Sequence, residues 1–200
     1  MHAPMISSKE FSKLSDVGGA QAALRDLCHP FHSGDFLPEC VVVHPNAIPY
    51  PADKLLVHHE HMTVVLEKHH GQRMDVHVLE EHLIGDYYTR KISLTPKGSD
   101  RVVQWALVRL DFRYMPQPVR DEILDKQAPL GEILIKHNVH RRVKPRYFLR
   151  FPEDGQVLQF FSAHEPAPAW GRIGTIFCDN EPCIELLEIV VNTQPAHNQP

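Results

Sequence analysis

Three long strand-like segments follow one another in the middle of the chain, and they constrain the fold more than any other feature. The segments are Met74–Ile84, Asp86–Thr95 and Arg101–Arg113. Gly85 and the turn-forming run Pro96–Asp100 separate them. Connections this short join antiparallel neighbours, because a parallel pair needs a crossover of a dozen or more residues. An antiparallel sheet is therefore predicted at the centre of the fold.

The elements on either side of these segments are grouped by type. Helices are predicted from Asp16, a suitable N-cap, to before His29, and at Asp53–His69, Pro116–Gln127 and Pro129–His137. Further strands are predicted at Cys40–Val43, Arg146–Phe151, Gln156–Phe161, Arg172–Cys178 and Cys183–Val191. Grouping of this kind is typical of α+β folds, so we predict an antiparallel sheet with helices packed on one face.

Length and composition set outer limits on the class of protein. The chain of 200 residues suits one domain over 1–200, with residues 1–14 and 193–200 expected to be flexible. The net charge is −4 and the basic residues are scattered, which argues against a nucleic-acid partner. No apolar run approaches the ~20 residues of a membrane span, and no signal peptide is evident. We expect a cytoplasmic monomer or homodimer without a membrane partner.

Cysteines and histidines form no recognisable metal motif. The four cysteines contain no C-x-x-C pair, so buried reduced thiols are expected. The densest histidine clusters are His58–His61 and His69-His70, and neither fits H-E-x-x-H. Histidines at the surface or at helix ends, and no metal site, are therefore predicted.

Arg90 breaks the alternation of its strand. Side chains of a strand alternate between faces, so Tyr88, Arg90, Ile92 and Leu94 share the apolar side. An uncompensated charge on that side costs several kcal/mol, and Arg90 therefore needs a partner.

The final strand carries a carboxylate in a similar setting. Glu188 shares a side with Ile184 and Leu186, whereas Glu185 falls on the other side, also among apolar residues. A carboxyl in such surroundings is expected to have a raised pKa. Two interpretations stay open: an internal Arg90–Glu188 ion pair, or a pocket in which Arg90 binds a carboxylate and a glutamate handles a proton.

These residues belong to an ordered series. It comprises Met62-Thr63, Glu67, Gly71, Tyr88-Thr89-Arg90, Ala128-Pro129-Leu130-Gly131-Glu132, Trp170-Gly171-Arg172, Pro182 and Glu188. In order and approximate spacing, the series resembles the chorismate pyruvate-lyase family, over roughly residues 55 to 192.

The resemblance implies a chorismate lyase-like fold with a buried ligand pocket and no cofactor. It implies a carbon–oxygen lyase that converts chorismate to 4-hydroxybenzoate and pyruvate, at the start of quinone or phenolic lipid synthesis. Arg90 would bind a substrate carboxylate and Glu188 would be the acid/base group. Met62, Thr63, Leu130, Gly131 and Arg172 would bind substrate, with Leu130 offering its backbone N–H to a carboxylate.

The sequence departs from the family after Glu188, where Ile189-Val190-Val191 replaces an aromatic residue and a turn. Glu185 remains a competing assignment if a bulge shifts the register. Two other functions stay open. One is a non-catalytic domain of the same fold that binds a small carboxylate, as in effector-binding domains of bacterial regulators. The other is an interaction protein in which Arg90 and Glu188 form a buried pair within a filled core.

Overall fold

The computed structural model of the protein describes residues 16–31, 37–153, 155–161 and 168–191. The predictions of flexibility for residues 1–14 and 193–200 lie outside these ranges. Among the described residues, no helix is both long and apolar enough to cross a membrane.

The centre of the fold is a seven-stranded sheet in which every neighbouring pair is antiparallel. The strands are β1 (Val41–Val43), β2 (Met74–Ile84), β3 (Tyr87–Pro96), β4 (Gln104–Asp111), β5 (Arg141–Phe151), β6 (Ala169–Cys178) and β7 (Glu181–Val191). Their order across the sheet is β1-β5-β6-β7-β4-β3-β2. The predicted meander therefore forms β2, β3 and β4, and β7 lies between β4 and β6.

Five α-helices accompany the sheet in the part of the chain that the structure describes. They are α1 (Val17–Cys28), α2 (Ala52–Leu56), α3 (Met62–His70), α4 (Gln117–Asp125) and α5 (Leu130–Lys136). Asp16 caps α1 as predicted, since its Oδ1 accepts a hydrogen bond from the Gly19 N–H at 2.9 Å. Within the described residues, three short 3₁₀ helices lie at Pro45–Ala47, Phe112–Tyr114 and Gln156–Phe160.

Two predicted elements are wrong. The helix expected at Asp53–His69 is interrupted between α2 and α3, and His61 takes an extended conformation immediately before α3 begins. The strand expected at Gln156–Phe161 is a 3₁₀ helix. A short apolar run such as this one does not distinguish a helix from a strand by its periodicity. The preceding strand, β5, is also paired on both edges, with β1 and β6, so it offers no free edge to a further strand.

Helices pack on both faces of the sheet. The face that carries Tyr88 and Ile92 is covered by α2 to α5, as predicted. The opposite face packs Leu24 and Leu27 of α1 against Trp105 and Leu187. A sheet this wide has two apolar faces to bury, so the prediction of helices on one face was incomplete.

The hairpin between β6 and β7 brings two cysteines together. Cys178 and Cys183 form a disulfide with their Cα atoms 5.9 Å apart, whereas Cys28 and Cys40 are free. The expectation of reduced thiols therefore fails for Cys178 and Cys183.

Candidate functional site

A small cavity of about 40 Å³ lies between the sheet and the starts of α3 and α5. The sheet supplies mostly apolar side chains to its wall, together with Gln104 and Glu188. The remaining wall consists of His61, Met62 and Thr63 at α3 and of Pro129, Leu130 and Gly131 at α5. A space of this size holds about three water molecules.

Most of the residues implied by the family resemblance meet at this cavity. Met62, Thr63, Leu130, Gly131 and Glu188 all line it, although they come from three separate parts of the chain. Their positions follow from the fold, because α3 and α5 pack against the face of the sheet that carries Glu188.

Arg90 does not itself line the cavity, but two of its neighbours do. It is 0% exposed, and its cross-strand neighbour Val108 lines the cavity together with Ile92. None of its three guanidinium nitrogens has a well-formed hydrogen bond to a described residue, although the Tyr88 hydroxyl lies close enough to interact favourably with them. Burial lowers the pKa of Arg90, while Tyr88 and Glu81 act in the opposite direction. An arginine buried in this way has unused capacity to bind an anion.

The two groups that act electrostatically on Arg90, Tyr88 and Glu81, are hydrogen-bonded to each other. The Tyr88 hydroxyl donates to Glu81 Oε2 at 2.5 Å, and the Tyr88 ring stacks on Phe112 with the ring centres 5.6 Å apart. Lys126 also binds Glu81 and holds the pKa of that carboxyl below its usual range, with Tyr88 adding to the effect. Glu81 is therefore shared between Lys126 and Tyr88.

Glu188 is paired with Arg172 and not with Arg90. Arg172 Nε donates to Glu188 Oε2 at 2.5 Å, and the side chains are 1% and 9% exposed. Across the sheet, Glu188 lies directly between Ala106 and Arg172. The hypothesis of an internal Arg90–Glu188 pair is therefore wrong.

Glu185 lies on the opposite face of the sheet. It pairs with Arg109 and, at 3.3 Å, with Arg146, and its side chain is partly exposed. Since it faces away from the cavity, Glu188 is the candidate glutamate that can contact a ligand there.

Arg172 also binds the backbone of the interruption between α2 and α3. Its Nη1 donates to the carbonyls of Leu56 and His58 at 3.1 and 3.0 Å, and its Nη2 reaches the carbonyl of Glu60 at 3.5 Å. These bonds satisfy carbonyls that a continuous helix would have used internally. Arg172 does not line the cavity, and its hydrogen bonds hold this segment in place. Its role as a substrate contact stays a prediction.

His61 separates the cavity from an open groove of about 630 Å³ on the outer side. Its Nε2 accepts a hydrogen bond from Arg141 Nε at 2.6 Å. Burial lowers the pKa of His61 to about 4, with the charges of Arg141 and Arg172 adding to the effect. His61 is thus held neutral between the two spaces at pH 7.

Gly131 allows α5 to approach His61 closely. A Cβ atom at position 131 would lie 3.0 Å from His61 Cβ and 3.2 Å from Cγ. Any larger residue here would press on the residue that precedes α3.

Gln104 is a cavity residue that the sequence interpretation overlooked. It begins β4, is 2% exposed, and its Oε1 has no hydrogen bond to the described residues. The alternation that singled out Arg90 also places Gln104 with Ala106, Val108 and Leu110 on one apolar side, so the signal was present.

Metal binding has no constellation to support it in the part of the chain that the structure describes. No group of three or more histidine, cysteine, aspartate or glutamate side chains converges there. His58 instead binds the Leu55 carbonyl at 2.7 Å, and burial together with Arg172 lowers its pKa to about 3.

Comparisons with known proteins identify the fold. No family model and no curated protein matches the sequence. A crystal structure of PhnF from Mycobacterium smegmatis is similar over 100% of this chain and 95% of that chain, with 15% identity and a TM-score of 0.52. The structure of the PhnF effector domain covers 66% of this chain and 88% of its own, with 12% identity and a TM-score of 0.49. The similarity to PhnF confirms the predicted chorismate lyase-like fold.

Proposed function

We propose that this domain binds a small organic anion in the cavity, with Arg90 pairing to a carboxylate of the ligand. The observation that carries the proposal is the burial of Arg90, at 0% exposure, without a well-formed hydrogen bond to any described residue and without an ion pair to a carboxylate among them. A buried charge without compensation costs several kcal/mol. A bound carboxylate offsets that cost through two parallel N–H···O bonds.

A binding role needs only a pocket and a complementary charge. The chain shares its fold with PhnF, a protein that contains an effector domain. The domain proposed here is of that effector-binding type, and it recognises its ligand without chemical turnover.

The site must widen to admit an organic acid. A cavity of about 40 Å³ is far below the roughly 300 Å³ at the lower end of ligand pockets. The starts of α3 and α5 form the wall that is not part of the sheet, so their movement away from β3 and β4 opens the space. The open groove beyond His61 gives the ligand a route of entry.

A second candidate function is chorismate pyruvate-lyase activity. Its support is that Glu188 lines the cavity with Met62, Thr63, Leu130 and Gly131, the set that the family resemblance implied. Glu188 binds Arg172 through Oε2, which leaves Oε1 as its second carboxylate oxygen. That oxygen is available to exchange a proton with a ligand.

Calorimetry with benzoate and 4-hydroxybenzoate tests the binding proposal. Both wild type and the control Arg73→Met, which changes an exposed arginine, are expected to bind at least one acid. Arg90→Met is expected to lose that binding. If wild type binds neither acid, or if Arg90→Met binds as well as wild type, the proposal is wrong.

Incubation with chorismate separates the two functions. Formation of 4-hydroxybenzoate and pyruvate by wild type and by Glu185→Gln, but not by Glu188→Gln, supports the lyase. Binding of the acids without either product supports a purely binding function. Glu185→Gln is a matched control because Glu185 faces away from the cavity.

A further inference from the structure

We infer that Gln104 determines ligand specificity by binding a neutral polar group at the end of the ligand remote from Arg90. The inference rests on the proposed function and narrows it. It identifies the ligand as an organic carboxylate that carries a hydroxyl or similar group opposite its carboxylate.

The first support is the unused hydrogen-bonding capacity of Gln104. Its side chain lines the cavity, is 2% exposed, and leaves Oε1 without a hydrogen bond to the residues that the structure describes. Buried amide oxygens are nearly always paired, so an unpaired one facing a cavity indicates a missing partner. An amide offers both a donor and an acceptor, and a hydroxyl group can satisfy either.

The second support is the position of Gln104 relative to Arg90. Arg90 lies directly across from Val108, and Gln104 lies four residues before Val108 on the same face of β4. A rise of about 3.3 Å per residue separates the Cα atoms of Gln104 and Val108 by about 13 Å. The two unused polar side chains therefore lie at opposite ends of the site.

The wall between these ends is mainly apolar. Ile92, Ala106 and Val108 cover the sheet side, and Leu130 covers the helix side. Such a wall favours a ligand with an apolar middle, and polar groups at its two ends meet the two polar side chains.

Glu188 is the competing partner for the polar end. It is the diagonal neighbour of Gln104, since it pairs directly with Ala106 on the adjacent strand. One of its oxygens is already bound by Arg172, whereas Gln104 Oε1 has no bond among the described residues. Gln104 is therefore the side chain that gains most from a ligand hydroxyl.

Two pairs of acids test the inference on the full chain by calorimetry. The pairs are benzoate with 4-hydroxybenzoate, and cyclohexanecarboxylate with 4-hydroxycyclohexanecarboxylate. Wild type is expected to bind the hydroxylated member about tenfold more tightly in at least one pair. Gln104→Met is expected to abolish that preference and to leave the affinity for the unsubstituted acid within about twofold of wild type. Gln117→Met, which changes an exposed glutamine, is the matched control and keeps the preference.

Several outcomes overturn the inference. Equal affinities of wild type for both members of each pair mean that a buried water already satisfies Gln104. A preference that persists in Gln104→Met places the recognition elsewhere, at Glu188. If Gln104→Met does not fold, the wild-type affinities for the two members of each pair still test the inference. If wild type binds none of the four acids, the result is different, because it overturns the proposed function and the inference with it.

Discussion

Arg172 and Glu188 form a buried ion pair across neighbouring strands, with Nε and Oε2 2.5 Å apart. The same guanidinium binds backbone carbonyls between α2 and α3. Through this one side chain, the sheet fixes both the glutamate of the candidate site and the segment that leads to Met62 and Thr63. Arg172 thus positions both, and Arg90 is the buried arginine that we propose as the partner of a ligand carboxylate.

Arg172→Met is expected to lower the free energy of unfolding by about 3–5 kcal/mol, because it leaves Glu188 buried without its partner. Urea denaturation measures the change. The double variant Arg172→Met/Glu188→Gln should recover part of the loss, since the orphaned charge is gone. Arg73→Met, which breaks an exposed pair with Glu132, should cost less than about 1 kcal/mol. A loss in Arg172→Met no larger than in Arg73→Met would contradict the assignment.

Arg90→Met is expected to leave the free energy of unfolding unchanged or to raise it by about 1–4 kcal/mol in the absence of ligand. Methionine fills a similar space and removes a buried charge that has no well-formed hydrogen bond to the described residues. The variant should therefore be at least as stable as wild type while losing anion binding, which is the pattern of a residue kept for function. A destabilisation above about 2 kcal/mol would show that Arg90 has a structural partner.

Acidification from pH 7 to pH 4 is expected to destabilise the protein partly through His70. Burial lowers the pKa of His70 to about 4, with His69 and Arg101 adding to the effect. Between pH 6.5 and 4 the unfolded state therefore binds more protons at this site than the folded state, so stability falls as pH falls. Protonation of His70 contributes about 2–3 kcal/mol to that loss of stability.

Urea unfolding of His70→Phe at pH 7 and pH 4.5 measures this contribution. The variant should show a smaller loss of stability between the two pH values, while His140→Gln, at an exposed position, should behave as wild type. His58 and His61 have lowered pKa values too, so some pH dependence should remain. If His70→Phe loses as much unfolding free energy between pH 7 and pH 4.5 as wild type does, the prediction is wrong.

Gly131→Ala is expected to weaken anion binding and to lower the free energy of unfolding by up to about 2 kcal/mol. The added methyl group lies 3.0 Å from His61 Cβ, and overpacking costs about 1–3 kcal/mol, against a gain of about 1 kcal/mol in helix propensity. Gly18→Ala is the matched control, because its Cβ would meet an atom only at 3.6 Å. It should be neutral or stabilising in thermal unfolding. If Gly131→Ala and Gly18→Ala change the thermal stability equally, α5 can move away from His61 at no cost and the prediction is wrong.

Much of the fold could be predicted because its signals are local. Gly85 and the run Pro96–Asp100 mark the turns of the meander, and β2 has the predicted bounds. Alternation placed Arg90 on the buried face, and the structure confirms that burial. The break between α2 and α3 could not be predicted, since it is stabilised by Arg172, more than a hundred residues away.

The sequence by itself determined the antiparallel sheet and the burial of Arg90, because turn chemistry and two-residue periodicity act over a few neighbouring residues. Only the tertiary structure decided which charges meet. Insertion of β7 between β4 and β6 places Glu188 beside Arg172, and it leaves Arg90 across from Val108. Strand order depends on long-range packing that no local pattern encodes, and it is this order that pairs Glu188 with Arg172 and not with Arg90.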